Sequence, residues 1–532
     1  MNKAFARLRT AVLAAAVVLA TAAAAHAETV LHRGNAAEPG TLDPHKASGT
    51  WENNILGDLF LGLTTEAADG SIIPGAAESW TVSDDGKTYT FKLRDGLKWS
   101  DGEPVTAEDF VFSLHRILNP AFKAEYAWIL YVIENAEEYN TAKETDANKI
   151  GARAIDAKTL EIKLKAPAPY FIAQLVHYTA YPVPKHSVEK LGDDWLKAGN
   201  MVSNGAYTLA EWVPNDHIKV VKNPNFYDAA NVKIDAVYFY PTEDQDAALQ
   251  RFRAGEIDTQ DDFASESIDL LRKELPNETR IAPYLGIYYY VFNIAKNEAF
   301  KDLRVREALS MAVNREAITD QVLKTGELPA YSFVPPGTVN YGGPSYISWK
   351  AMPYGERVEK AKALLAEAGY GPDKPLKFQL RYNTSINHEK IAIAVQSMWK
   401  AIGVQADLFN SETAVHYNDL EAGNFDVARA AWIADYNDAQ TFLGLLETRA
   451  GAQNYGRYSN PKFDELMSKA SLDADLTTRG KLMAEAEAIA MAEQPVIPIY
   501  YYVSKDLVST KVAGWVDNVF NIHRTRWMTV NR

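Results

Sequence analysis

An α/β fold is predicted by three observations: a βαβαβ order over residues 376–432, two tyrosine-rich strands that bracket it, and a length of 532 residues. Residues 376–382 read as a strand, 388–402 as an amphipathic helix closed by Gly403, 404–409 as a strand, 413–422 as a helix and 425–432 as a strand. Strand–helix–strand units make parallel neighbours, so a mostly parallel sheet with helices on its faces is expected. The tyrosine-rich strands are Pro283-Tyr-Leu-Gly-Ile-Tyr-Tyr-Tyr-Val-Phe292 and Pro498-Ile-Tyr-Tyr-Tyr-Val503, as if a domain were entered by one and left by the other. One core usually stops growing at about 250–300 residues. Two or three domains are therefore expected.

The chain opens with basic Lys3, Arg7 and Arg9, an apolar run over 11–25, and Ala25-His26-Ala27. That order reads as a secretory signal peptide cleaved after Ala27, with no basic stop-transfer flank. Its removal leaves 505 residues and deepens the formal charge from −14 to −17, which argues against nucleic acid or anionic lipid as a partner. There is no cysteine, so the fold rests on its core without disulfides or thiolate metal sites, and a cysteine-linked lipid anchor is excluded. The expected protein is a free periplasmic or secreted one. Its 28 tyrosines and 11 tryptophans exceed the needs of a core and suit a binding surface.

From Glu28 a short strand, 30–33, leads into a Pro/Gly loop over 38–45 and a helix over 51–63 with Ile55, Leu56, Leu59, Phe60 and Leu63 on its apolar face. Residues 88–94 alternate Tyr89, Phe91 and Leu93 against polar neighbours after the turn Ser83-Asp-Asp-Gly86, which makes a half-exposed antiparallel strand. Thr106-Ala-Glu-Asp109 carries a capping-box signature at a helix start. A further alternating strand covers 160–164. Tyr181-Pro-Val-Pro184 reads as a boundary, and strands resume at 218–221 and 237–240. A helix over 358–368 buries Ala361, Leu364, Leu365 and Ala368 and stops at Gly369.

The stretch Phe425-Asp-Val-Ala-Arg-Ala-Ala-Trp-Ile-Ala-Asp-Tyr-Asn437 places Arg429 inside a strand apolar on both faces and ends on Asp435. An unpaired charge there would be costly. One reading is a structural ion pair for Arg429 and a turn or cap for Asp435. The other is a ligand that brings the matching charges, an ammonium for Asp435 and a carboxylate for Arg429, as a peptide does. Asp435 also falls outside the carboxyl end of a strand, where ligands of open α/β sheets gather.

Motifs of catalysis fail. His388-Glu389 begins a zinc-protease pattern, but Ala392 stands where its second histidine belongs, and no nucleophile elbow, phosphate loop or dinucleotide fingerprint occurs. A secreted hydrolase using distant carboxylates remains an alternative, and His388 reads equally as a surface residue at a helix start.

The chain resembles the bacterial periplasmic oligopeptide-binding proteins, the extracellular solute-binding family that feeds peptide ABC importers. The resemblance covers nearly the whole mature chain and rests on Ala77-Glu-Ser-Trp80, Lys98-Trp-Ser-Asp-Gly102, Pro104-Val-Thr-Ala107, Ser203-Asn-Gly-Ala-Tyr207, Arg304-Val-Arg306, Leu364-Leu-Ala-Glu-Ala-Gly369, Tyr382-Asn-Thr-Ser385, Asp426-Val-Ala-Arg429 and Ala434-Asp-Tyr-Asn437. It implies a type II periplasmic binding protein fold of three lobes. Lobe I comprises 28–61, 186–285 and 504–532; lobe II, 62–185, is inserted after Phe60; lobe III is 286–503. Lobes I and III close over the ligand by a hinge.

The resemblance implies a non-enzymatic, monomeric receptor without cofactor or metal, whose partners are short peptides and the permease subunits of an inner-membrane ABC importer. Asp435 would receive the peptide ammonium, and Arg429 and His388 its carboxylate. Ser48, Gly49, Thr50, Tyr126, Tyr289, Thr413, Tyr417, Ala431, Trp432, Ile433 and Tyr502 would meet the main chain and form pockets, with 48–50 and 431–433 pairing to the peptide as added strands. Several residues depart from the pattern. Leu323 and Leu420 stand where well-studied members have a lysine and an arginine for carboxylates of different peptide lengths. Thr413 replaces a stacking tryptophan, Ser48 a glutamate, and Gly286 and Ile433 the two halves of a disulfide. A preference for particular peptide lengths follows, or for a modified C-terminus such as that of a murein peptide.

Overall fold

A computed structural model describes residues 28–531; the expected signal peptide lies outside them. Strand β1 (Val30–Gly34) is followed by α1 (Thr50–Leu59). The helix is shorter than the predicted 51–63. Phe60 is already extended at φ −125°, and the buried Phe60, Leu61 and Leu63 belong to a chain running into the next strand. Short apolar runs suit buried helix and buried extended chain alike.

Four strands form a separate antiparallel sheet: β2 (Ala77–Val82), β3 (Thr88–Leu93), β4 (Ala152–Asp156) and β5 (Thr159–Lys163), in the order β2-β3-β5-β4. Tyr89, Phe91 and Leu93 of β3 are buried, as their alternation predicts. Helix α2 (Ala107–Leu118) packs on this sheet, and its capping box forms, with Thr106 N donating to the Asp109 carboxylate at 2.9 Å. Such a cap contributes about 1 kcal/mol.

Among the described residues the large sheet has eleven strands. In chain order its further members are β6 (Tyr207–Val213), β7 (His217–Lys222), β8 (Ala236–Tyr240), β9 (Thr259–Asp261), β10 (Thr279–Phe292), β11 (Lys377–Asn383), β12 (Gln405–Ser411), β13 (Val427–Ile433) and β14 (Val496–Val508). They lie in the order β12-β11-β13-β10-β14-β9-β1-β8-β7-β6, and the two-residue strand Leu328–Pro329 pairs with β14.

The predicted βαβαβ unit forms. Helix α3 (Ile386–Ala401) follows β11 and helix α4 (Thr413–Ala422) follows β12, with β11 parallel to both β12 and β13. Gly423 ends α4 at φ +73°, a conformation costly for other residues. The expectation of a mostly parallel sheet is corrected: β13–β10, β10–β14, β14–β9, β8–β7 and β7–β6 are all antiparallel. Among the described residues, parallel pairs of this sheet lie at β12-β11-β13 and around β1.

Those two strands, β10 and β14, form the middle of the sheet. Tyr288 stacks on Tyr500 with centroids 4.6 Å apart, and both are buried. Gly286 lies directly opposite Ile433, and a side chain there would run into the Ile433 methyl. Helix α5 (Leu476–Glu493) supplies two buried charges to this half. Arg479 makes a two-fold pair with Asp438, 2.7 Å at each contact. Glu487 accepts from Phe333 N, Val334 N, Ser345 N and Tyr341 Oη, so one carboxyl anchors an irregular segment. The segments around Tyr126 and Tyr170 meet those around Trp432 and Tyr436 face to face: Tyr126 stacks on Trp432 at 5.6 Å and Tyr170 on Tyr436 at 5.4 Å.

Candidate functional site

Strand β13 builds the site. It pairs with β10 along its whole length, from Gly286↔Ile433 to Phe292↔Val427, but with β11 only at Leu380↔Val427 and Arg381↔Ala428. Past Ala428 the edge turned away from β10 carries no strand, and Ala431, Trp432 and Ile433 line a cavity of about 300 Å³, within the range of small-ligand sites. Ser48, Gly49 and Thr50 line it as well.

Arg429 is buried in the middle of β13. Its Nη1 donates to Asn383 Oδ1 at 3.1 Å and Tyr417 Oη at 2.9 Å, and its Nη2 to Tyr502 Oη at 2.8 Å. Its guanidinium carbon lies 4.9 Å from the centroid of Tyr288. Among the described residues no carboxylate pairs with it, and Nε has no partner. The structural ion pair is thus ruled out, and the charge is buried against neutral groups alone. Such a charge calls for an external anion.

Asp435 follows two residues after β13 and also lines the cavity. Tyr126 Oη contacts both of its oxygens, Thr441 Oγ1 donates to it at 2.9 Å, and His177 Nε2 lies 3.4 Å away. Burial holds His177 down to about 3, with Arg524 adding to the effect, so it is neutral. Among the described residues Asp435 therefore has no cation beside it. Burial pushes its carboxyl up to about 7, against the opposing hydrogen bonds of Thr441 and Tyr126. The turn role falls instead to Asp438, whose carboxylate accepts from Gln440 N.

The structure gathers most of the other predicted residues at the same cavity: Tyr126, His388, Thr413, Tyr417 and Tyr502 all line it. His388 stands in the first turn of α3 with its Nδ1 buried and unpartnered, 5.5 Å from Tyr288 between ring centroids. Burial, then the neighbouring Arg429, hold it well below the usual histidine range, so it is neutral rather than a surface histidine. Tyr289 alternates with Tyr288 and Tyr290 along β10 and packs edge-on against Phe333; it is not in the cavity lining, but Tyr417, Arg429 and Tyr502 of that lining are near enough to act on its hydroxyl. Leu323 and Leu420 are core residues, also outside the wall.

Sequence reasoning missed several residues on or behind the wall. His177 and Thr441 hold Asp435, yet neither sits in a recognisable pattern. Asn383 lies within the quoted Tyr382-Asn-Thr-Ser385, and its place beside Arg429 needed the β11–β13 alignment. Lys505 is a second cation on the wall, but Asp262 at 3.1 Å and Glu327 at 3.7 Å balance it. No group of three or more His, Cys, Asp or Glu among the described residues is placed to hold a metal. Beside an open strand edge the arrangement sets Arg429, a cation without an acidic partner among the described residues, and Asp435, a carboxyl held by neutral groups.

Comparison with known proteins gives a consistent set of relatives. The family model for bacterial extracellular solute-binding proteins, family 5 Middle, matches residues 71–454. The chain is 42% identical over 501 residues to the periplasmic oligopeptide-binding protein OppA of Salmonella typhimurium, covering 92% of this chain and 91% of that one. Its structure matches that of the Escherichia coli murein tripeptide-binding protein MppA with a TM-score of 0.92 at 40% identity, over 95% of this chain and 99% of that one. Against the unliganded open form of the same protein the TM-score is 0.66 at the same identity, over 95% and 98%. The arrangement of the present chain therefore differs from that open form.

Proposed function

The chain belongs to the bacterial extracellular solute-binding proteins, family 5, and from that premise we propose that it is a periplasmic receptor that captures short peptides and delivers them to an inner-membrane ABC importer. The observation that carries this reading is the pair Asp435 and Arg429: opposite charges without charged partners, Arg429 buried within β13 and Asp435 half-buried just past its end, beside an open strand edge. A zwitterionic extended chain supplies both counter-charges and the missing strand. The six residue steps from Arg429 to Asp435 span at most about 20 Å. Three extended residues span about 10 Å, so a chain of a few residues lies within this length. Short peptides fit this span.

In this reading Asp435 takes the ammonium, Arg429 and His388 receive the carboxylate, and the main chain of 48–50 and 431–433 flanks the peptide. The three lobes are 28–61 with 186–285 and 504–532, 62–185, and 286–503. The Tyr126–Trp432 and Tyr170–Tyr436 stacks bring lobe II against lobe III in the closed form. The protein acts as a monomer without catalysis, after export and cleavage behind Ala27.

A second reading makes the ligand a single modified peptide. The burial of Leu323 and Leu420, which withholds charges for other carboxylate positions, favours it, as does the likeness to a murein tripeptide-binding protein. Native mass spectrometry of protein taken from periplasm, followed by denaturation and sequencing of the released molecules, tests both. A mixture of short peptides with free amino termini supports the broad receptor; one species supports the dedicated one. Turnover of added peptides would overturn both.

A further inference from the structure

Arginine carries five N–H donors in a rigid plane. In Arg429 three are used: both of Nη1, by Asn383 and Tyr417, and one of Nη2, by Tyr502. Two remain, Nε–H and one Nη2–H, and Nε is buried with no partner. Nε and Nη2 are adjacent on one edge of the guanidinium, the edge a carboxylate can meet side-on with two oxygens. All three acceptors are uncharged. An acidic residue in any of these places would have neutralised the cation and removed its demand for an external anion.

The three holders are themselves fixed. Asn383 is buried at the end of β11 and its amide lies 3.4 Å from Thr413 Oγ1. Tyr502 contacts Tyr500 and Tyr284 edge-on, at 5.1 and 6.0 Å between centroids. Tyr417 carries a 5.9 Å contact to Trp51, so it is braced by the segment that enters α1. The face of the guanidinium lies over Tyr288.

We propose that Asn383, Tyr417 and Tyr502 are positioning residues for Arg429: they fix the plane of its guanidinium with neutral acceptors and leave one two-donor fork, which sets a preference for a free carboxylate over an amide. The proposal rests on the peptide-receptor reading for its ligand, but not for its geometry. An amide offers one acceptor oxygen and no charge, so it satisfies half of the fork and leaves the cation unbalanced.

The test uses the full mature chain and two probes, trialanine and trialanine amide. Titration calorimetry of the wild type, Tyr417→Phe, Tyr502→Phe and the double variant reads the ratio of the two affinities. Arginine side-chain ¹⁵N spectra of the ligand-free proteins read rotation of the guanidinium. The double variant should lower the ratio of trialanine affinity to trialanine amide affinity at least about fivefold, and its Nη protons, resolved in the wild type, should average. A merely structural role would lower both affinities together and leave the ratio unmoved, which would overturn the proposal, as would Nη protons already averaged in the wild type. If the wild type ignores both probes while its Nη protons stay resolved and average in the double variant, the positioning role stands and the peptide reading falls.

Discussion

Tyr126 Oη lies 3.0 Å from one oxygen of Asp435 and 3.1 Å from the other, across 309 positions of sequence. A phenol has one proton to give, so this contact solvates the carboxylate without neutralising it. Thr441 adds a second neutral donor, and His177 contributes no charge. The carboxyl is held in place by groups that leave its charge to be met from outside.

Asp435→Asn keeps the shape of that side chain and removes its charge. Affinity for peptides with a free amino terminus should fall at least about 100-fold, corresponding to roughly 3 kcal/mol. Titration calorimetry checks this, and unchanged affinity would contradict the assignment of the ammonium to Asp435.

The carboxyl of Asp435 is raised from 3.8 to about 7 in the ligand-free protein. A raised acid binds its proton more tightly in the folded state, so its contribution to stability is full below about pH 4 and is lost as pH rises through 7. An arriving ammonium requires the ionised form. Peptide affinity should therefore rise between pH 5 and 7, with release of about one proton near pH 6, and fall again above about 8 as the peptide amine loses its own proton. Calorimetry in buffers of different ionisation enthalpy measures the proton count; a count of zero would exclude the linkage.

Glu487 accepts two buried backbone N–H groups, Phe333 at 2.9 Å and Val334 at 2.7 Å, besides Tyr341 Oη and Ser345 N. Glu487→Ala leaves them unmet and should cost about 3 kcal/mol or more. Burial lifts this carboxyl to about 7, so its stabilisation also fades as pH rises from about 4.5 to 7. Glu487→Gln should flatten that part of the stability profile, as read by thermal unfolding across pH.

Arg479 and Asp438 are both buried, and Arg479 also lies 4.7 Å over Tyr170, which stacks on Tyr436. Arg479→Met strands the Asp438 charge and should destabilise by about 3–5 kcal/mol; adding Asp438→Asn should recover most of the loss. Denaturant unfolding of the three variants checks the coupling, and additive losses would refute it.

Unmodified peptides of two to five residues should bind with a clear optimum at one length. Among the described residues Arg429 is the cavity cation without an acidic partner, whereas Lys505 is balanced and Leu323 and Leu420 are buried in the core. Equal affinity across the series would contradict this.

Local signals carried much of this molecule. Alternation in β3, the capping box of α2 and the β11–α3–β12–α4–β13 order each follow from residues within one turn or one strand of each other. The antiparallel character of the large sheet was hidden because β10 meets β14 across some 200 residues, and nothing in either strand names its partner. The charges at 429 and 435 were legible as anomalies in an apolar run. What surrounds them was not: Tyr126, His177 and Thr441 reach Asp435 from three parts of the chain. A run of three tyrosines hides which faces which side, and only the register with β13 assigns Tyr288 and Tyr290 to the face of Arg429.

Gly286 faces Ile433 across β10 and β13, in a chain without a single thiol. The seam between these strands is closed by reversible rungs alone, so it needs no oxidant to form and has no wrong partner to reshuffle. The same chain is therefore free to fold in a reducing cell extract as in an oxidising one. It is also a blank background for chemistry: one cysteine installed at exposed Val415 becomes the sole reactive handle on the molecule, a place to attach a dye that reports on the nearby cavity.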